Sequence, residues 1–405
     1  MKYLGIGNLN KHILFPLLVP LFYIIRDISF KRNFSKQFTE RPLFETLLMF
    51  ISEIICIPFE LMRRHNSKPR EKEKRITVEN NQFVDNNKVI VPPANWKEPK
   101  IYFFIAVSSV IDLICFTSIS FSCAYDVIQT HNIHTEMRIL PIFFMGFLSW
   151  KFLHMQIYIH HLFSVLLIGF GFIIILVDLF MSINIAIFQM IFILLFYFII
   201  HFLYSVKQIN DKYLMEKKYI SPFLLLFFEG VFGIILTLVT YGIAYFIPCK
   251  AEWPFCNDGP IFESLSTDML GLVDGGTPIS LLYLLLMLFS SCGLNIFLMF
   301  TKNYFSPTHR SVSDTMNAFF AWIANFYFGW NDIVWDYFNV VGFVIIMIGC
   351  CLFNEIIIFK CCGLDNDTKE SIVQRADIEY LEYIEAEPIQ QKQNELNSLP
   401  NTCIY

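Results

Sequence analysis

The strongest constraint on this chain is its succession of apolar runs, several of them long enough to cross a bilayer. Crossing about 30 Å of hydrocarbon takes roughly 17–25 residues in helical form. The runs fall at 13–25, 43–61, 101–122, 136–153, 159–177, 185–205, 223–247, 279–300, 309–328 and 337–358. In lipid every backbone N–H and C=O must find its partner within the protein, so a spanning segment is a helix or part of a closed barrel. Period-two alternation is absent from these runs, which excludes a barrel. The expectation is an all-α integral membrane protein with ten transmembrane helices. Composition agrees: 55% of the residues are hydrophobic and 45 are Phe, which reads as lipid-facing bulk.

The first run, ILFPLLVPLFYII, follows Lys2 and Lys11 and lacks a small-residue cleavage site, so an uncleaved span is expected. Pro16 and Pro20 would kink it. The second carries Glu53 and leads into a basic stretch, 63–100, with ten Lys/Arg against five acids and no apolar periodicity. That stretch is expected to be cytosolic and disordered. Asp112 lies inside the third run, Arg138 near the start of the fourth and Glu229 in the FFEGVFG of the seventh. Residues 101–205 thus hold helices three to six. The polar stretch Lys207 to Lys212 reads as a turn, after which 206–358 holds helices seven to ten. The tail 359–405, with nine acids against three bases from Cys361 onward, is expected to be disordered.

Charge in the connections sets the orientation. With a cytosolic N-terminus, the basic connections 63–100, 206–222 and 301–310 fall on the cytosolic side. The connections 178–184, 248–277 and 329–336 fall opposite and hold only Lys250 between them. The five bases between Arg26 and Arg41 run against the rule, so the first run is either irregular or does not cross. Both termini are then cytosolic. Cys249 and Cys256 bracket a short Trp/Pro loop on the far side and are expected to form a disulfide there.

The stretch TKNYFSPTHRSVSDTMNAFFAWIANFYFGW, Thr301 to Trp330, combines charge with a lipid-compatible run. A charge near mid-bilayer costs on the order of 3 kcal/mol or more, so it usually faces a cavity or a partner. Arg310 and Asp314 are four residues apart and share a helical face, with Asn317 and Asn325 further along. Such a stripe suits a solute path; an intramembrane salt bridge that only fixes helix packing is the plainer alternative.

That stretch, followed by GFVIIMIGCCLFNE, resembles the ninth and tenth helices of the drug/metabolite transporter superfamily. The likeness is to the nucleotide-sugar-transporter-like proteins of solute-carrier family 35, branch F. RPLFETLLMFISEIICIPFELMRR at the second helix, HTEMRILPIFF at the fourth and LMEKKYISPFLLLFFEGVFG entering the seventh are similar to the same branch. The resemblance implies a 5+5 inverted repeat of EamA-like type and secondary transport by alternating access. It implies a small, anionic, nucleotide-sugar-like metabolite crossing an endomembrane (Golgi, endoplasmic reticulum or lysosome/vacuole). By position it implies polar roles for Asp112, Arg138, Glu229, Lys302, Arg310 and Asp314.

Arg138 suits a substrate phosphate or carboxylate, which a guanidinium binds bidentately; pairing with Asp112 or Glu229 is its structural alternative. Glu229 serves a coupling proton or, with Gly230 and Gly233, close helix contact. Lys302 is placed at the cytosolic mouth, where a snorkelling lysine is the bland reading. His154, His160, His161 and His201 are read as interfacial. No cofactor, metal or nucleic acid is expected, and no catalytic motif suggests an enzyme. The expected partners are an anionic solute and the lipid bilayer, and a homodimer is compatible. A non-transporting scaffold or receptor of the same fold is the other reading.

Overall fold

The computed structural model describes residues 18–26, 42–66, 98–124, 137–155, 158–182, 187–248, 278–304, 306–327 and 337–358, with Thr368 and Ser371. Residues 18–26 are helical. Ten further helices follow: α1 (Pro42–Ile54), α2 (Ile57–Asn66), α3 (Pro99–Ala124), α4 (Leu140–Leu153), α5 (Ile159–Ser182), α6 (Ile187–Lys217), α7 (Pro222–Ala244), α8 (Pro278–Tyr304), α9 (Pro307–Tyr327) and α10 (Tyr337–Phe353). Among the described residues, six segments are long and apolar enough to cross a membrane, and α4 and α10 are shorter apolar helices. The chain is therefore an all-α, multi-pass membrane protein. The Cys249–Cys256 pair, most of the basic stretch 63–100 and nearly all of the acidic tail lie outside the described residues.

Proline sets several boundaries. It occupies the first position of α1, α3, α7, α8 and α9, where the missing N–H is one the helix leaves unpaired anyway and φ is already helical. Ser221 Oγ accepts from the Leu224 N–H at the start of α7, and Ser306 Oγ accepts from the His309 N–H at the start of α9. Pro58 has the opposite effect. It removes a donor from the second apolar run, and α1 and α2 are separated by a turn at Ile55–Cys56.

Lipid supplies no hydrophobic drive between helices, so small residues decide where they come together. α5 and α10 run side by side through Gly171, Gly342 and Gly349. A Cβ added at Gly171 would stand 2.7 Å from the Gly342 carbonyl oxygen and 2.8 Å from Ile346 Cγ1. α7 meets α1 in the same way, with Gly230 against the Phe50 carbonyl and Gly233 against the Phe50 ring. The close-contact reading of those two glycines is what the geometry shows. The outward faces remain apolar: Phe163, Leu166, Phe170, Ile173 and Val177 project from α5, as lipid contact requires. The helical residues 18–26 pack Val19, Phe22 and Tyr23 onto Leu294, Phe297 and Leu298 of α8.

One boundary differs from the sequence reading. The expected polar turn at 207–212 is helix, and α6 continues unbroken to Lys217. Lys207, Gln208, Asp211 and Lys212 are all buried there, because neighbouring helices supply partners: Asp112 and Glu229 for Lys207, Lys302 for Gln208 and Asp211, and the Asn303 carbonyl for Lys212. Polarity in this stretch reflects a protein interior, not solvent.

Gly171→Ala should destabilise the detergent-solubilised protein by about 1–3 kcal/mol, the usual cost of overpacking. Gly146→Ala should be neutral, since nothing lies within 4 Å of an added Cβ there. Thermal unfolding of the two variants side by side checks the assignment; equal midpoints would contradict it.

Candidate functional site

The polar end of α6 is the centre of a buried charge cluster. Lys207 Nζ lies 2.8 Å from Asp112 Oδ2 of α3, 3.0 Å from Asp211 Oδ2 one turn along α6, and 3.0 Å from Glu229 Oε2 of α7. The Glu229 contact is an aligned hydrogen bond. Asp112 meets Lys207 through Oδ2 alone, and its Oδ1 is buried without a hydrogen-bond partner. Lys302, at the end of α8, has no exposed surface; it pairs with the same Asp211 oxygen and donates to Gln208 Oε1 at 2.8 Å. Ser108 donates to Asp211 Oδ1 at 2.8 Å, and Asn210 donates to Ser108 Oγ and the Phe104 carbonyl. Glu53 of α1 sits within electrostatic reach of Asp112 and Lys207. Oε2 of Glu53 and Oε1 of Glu229 are buried without a hydrogen-bond partner.

A second group lies on α9. Arg310 Nη2 donates to the Tyr204 hydroxyl at 3.0 Å, and that hydroxyl donates to Asp314 Oδ2 at 3.5 Å. Arg310 Nε stands 3.8 Å from the same Asp314 oxygen, a looser ion pair than the lysine contacts. Arg138, just before α4, lies over the Tyr23 ring at 4.6 Å from its centroid and within electrostatic reach of Asp314 and His201. Asn317, one turn beyond Asp314, is buried with its Oδ1 unpartnered. Tyr204 and Lys207 belong to neighbouring turns of α6, so one helix joins the two groups.

The structure gathers the residues singled out in sequence into these two groups: Asp112, Glu229 and Lys302 around Lys207, and Arg138, Arg310, Asp314 and Asn317 along α9. Lys302 is not a snorkelling lysine; it is a fully buried partner of Asp211. Lys207, Gln208 and Asp211 are not evident from the sequence, because the apolar run stops at 205. A signal was present, since Lys207 and Asp211 are four residues apart with no Gly or Pro from 206 to 217 to stop the helix. Away from both groups, His160, His161 and Glu355 bring metal-ligating atoms within 4.8 Å of one another.

No family model matches the sequence, and no curated protein matches it. Among solved structures, a chain described as "Crystal structure of protein" is similar at a TM-score of 0.44 and 11% identity, covering 85% of this chain and 97% of that one. That likeness is too slight to bear on fold or function.

Removing one partner from a buried ion pair strands the other and costs about 3–5 kcal/mol. Lys207→Met should destabilise by that order, and adding Asp112→Asn should recover part of the loss. A double-mutant cycle by thermal unfolding checks the coupling; strictly additive losses would contradict it.

Proposed function

We propose that the chain is a secondary transporter of the drug/metabolite type that moves a small anionic, nucleotide-sugar-like metabolite across an endomembrane by alternating access. The observation that carries this reading is the pair of arginines, Arg138 before α4 and Arg310 in α9, both within electrostatic reach of Asp314. The Arg310 guanidinium is shared between the Tyr204 hydroxyl at 3.0 Å and the Asp314 carboxylate at 3.8 Å. It can exchange those partners for a substrate phosphate or carboxylate with two parallel hydrogen bonds. Asp314 holds Arg310 when the site is empty and yields it when the anion arrives.

The reading takes the helical residues 18–26 as part of span one and α1 with α2 as span two, so that α3 to α10 complete ten spans with both termini cytosolic. Helix pairing supports a 5+5 inverted repeat. Span five packs on span ten, four on nine and two on seven, each pair exchanging with itself under a five-span shift. The contacts of span two with eight and of seven with three exchange with each other under the same shift. Such repeats hold substrate near the midplane and rock about it.

The test begins with thermal-shift screening of purified protein against nucleotides, nucleotide sugars and small anionic metabolites, since a ligand of the folded state raises its stability by mass action. Radiolabelled uptake of the stabilising compound into proteoliposomes follows. Arg138→Gln should abolish uptake without changing unfolding, and Arg138→Lys should restore little, because a point charge cannot reproduce the planar fork. Full transport by the Gln variant would remove Arg138 from the path. Unfolding of that variant would mark the arginine as a packing element.

A further inference from the structure

The start of α5 and the turn after α10 meet at one end of the bundle, apart from the charge cluster. Here His160 and His161 of α5 and Glu355 of the turn place one ligand atom each within 4.8 Å of the others. His160 is 6% exposed, yet neither of its ring nitrogens has a hydrogen-bond partner. An idle buried imidazole is costly, since its polar atoms have lost water and gained nothing.

The spacing indicates what would satisfy it. His160 Nε2 stands 3.4 Å from Glu355 Oε1, beyond the roughly 2.7–2.9 Å of a charge-assisted hydrogen bond. Two donors at about 2.0–2.2 Å from one tetrahedral ion are themselves about 3.3–3.5 Å apart. The contact is therefore long for a hydrogen bond and right for two ligands of a shared cation.

The donors are also held in place. The Tyr158 ring stacks on His160 at 5.9 Å and 5°, and His161 stacks on Phe353 at 4.5 Å between centroids. Glu355 adopts a left-handed backbone with φ 56°, a conformation that non-glycine residues take at a cost. The turn bearing it is fixed by the Asn354 side chain donating to the Cys350 carbonyl. Phe163, Leu352, Ile357, Ile358 and Thr368 line the recess beside His160 and Glu355.

We infer that His160, His161 and Glu355 form a binding site for a divalent cation of the Zn²⁺ type, with three protein ligands and a fourth position for water. Two imidazoles and one carboxylate select a borderline metal over Mg²⁺ or Ca²⁺, which take oxygen ligands. The ion would clip the beginning of α5 to the end of α10, beyond the glycine seam that already joins them.

The test uses the full chain, purified, chelator-treated and titrated with Co²⁺, whose visible absorption reports coordination geometry. One equivalent per chain with tetrahedral ligand-field bands, displaced by Zn²⁺, is the expected result. Glu355→Gln and His160→Gln should each weaken Co²⁺ binding at least about tenfold, while His154→Gln, an exposed neighbour in sequence, should not. Metal-free unfolding of Glu355→Gln should match the wild type, since that carboxyl is partly exposed, which separates ligand loss from misfolding. Absence of bound Co²⁺, octahedral spectra alone, or binding unchanged in Glu355→Gln would overturn the site.

Discussion

The ammonium of Lys207, held among Asp112, Asp211 and Glu229, is the contact on which the rest of this bundle depends. It joins α3, α6 and α7 at one point, and the shared Asp211 oxygen carries the connection to Lys302 of α8. Taking one such ion from water costs several kcal/mol even after relaxation, and a well-packed apolar replacement is often as stable. Packing alone gives no reason for so many charges. The cluster instead ties four helices together through ionic contacts, the kind of joint that the proposed alternating access would use.

The seam between α5 and α10 is its physical opposite. There Gly171, Gly342 and Gly349 lie against backbone and aliphatic side chains, and the surrounding core is Ile168, Phe172, Ile175, Phe343 and Ile346. Contacts of that kind are close-packed and have no alternative partners to exchange. The helices therefore divide into a close-packed seam, apolar except where the Asn339 amide donates to Asp178 Oδ2 at 2.7 Å, and a charged centre. Arg138, Arg310 and Asp314 lie toward the charged centre, with Tyr204 of α6 between the arginine of α9 and the lysine cluster.

The order of the apolar helices was legible in the sequence, because apolar runs act locally, but not the length of α6 or the break between α1 and α2. The sequence revealed Asp112, Glu229, Arg310 and Asp314, because a charge inside an apolar run stands out. It did not reveal Lys207 and Asp211. Their charges follow an apolar run, and a polar stretch at that point is equally what a solvated turn looks like. Only the carboxylates of α3 and α7, brought in by tertiary packing, make the helical continuation the favourable outcome. The same limit applies to His160 and His161, whose partner Glu355 is nearly two hundred residues away in sequence. Burial of Lys302 is hidden in the sequence for a related reason: a lysine at a helix end usually reaches solvent, and here it pairs with Asp211 instead.

Amine-selective labelling of the folded protein, read out lysine by lysine by peptide mass spectrometry, tests the central claim most directly. Lys217 is exposed at the end of α6, whereas Lys207, Lys212 and Lys302 are buried. The buried-cluster account predicts rapid modification of Lys217 and protection of the other three until the protein is unfolded. Labelling of Lys207 and Lys302 as fast as Lys217 in the folded state would return this segment to a solvated loop and contradict the account.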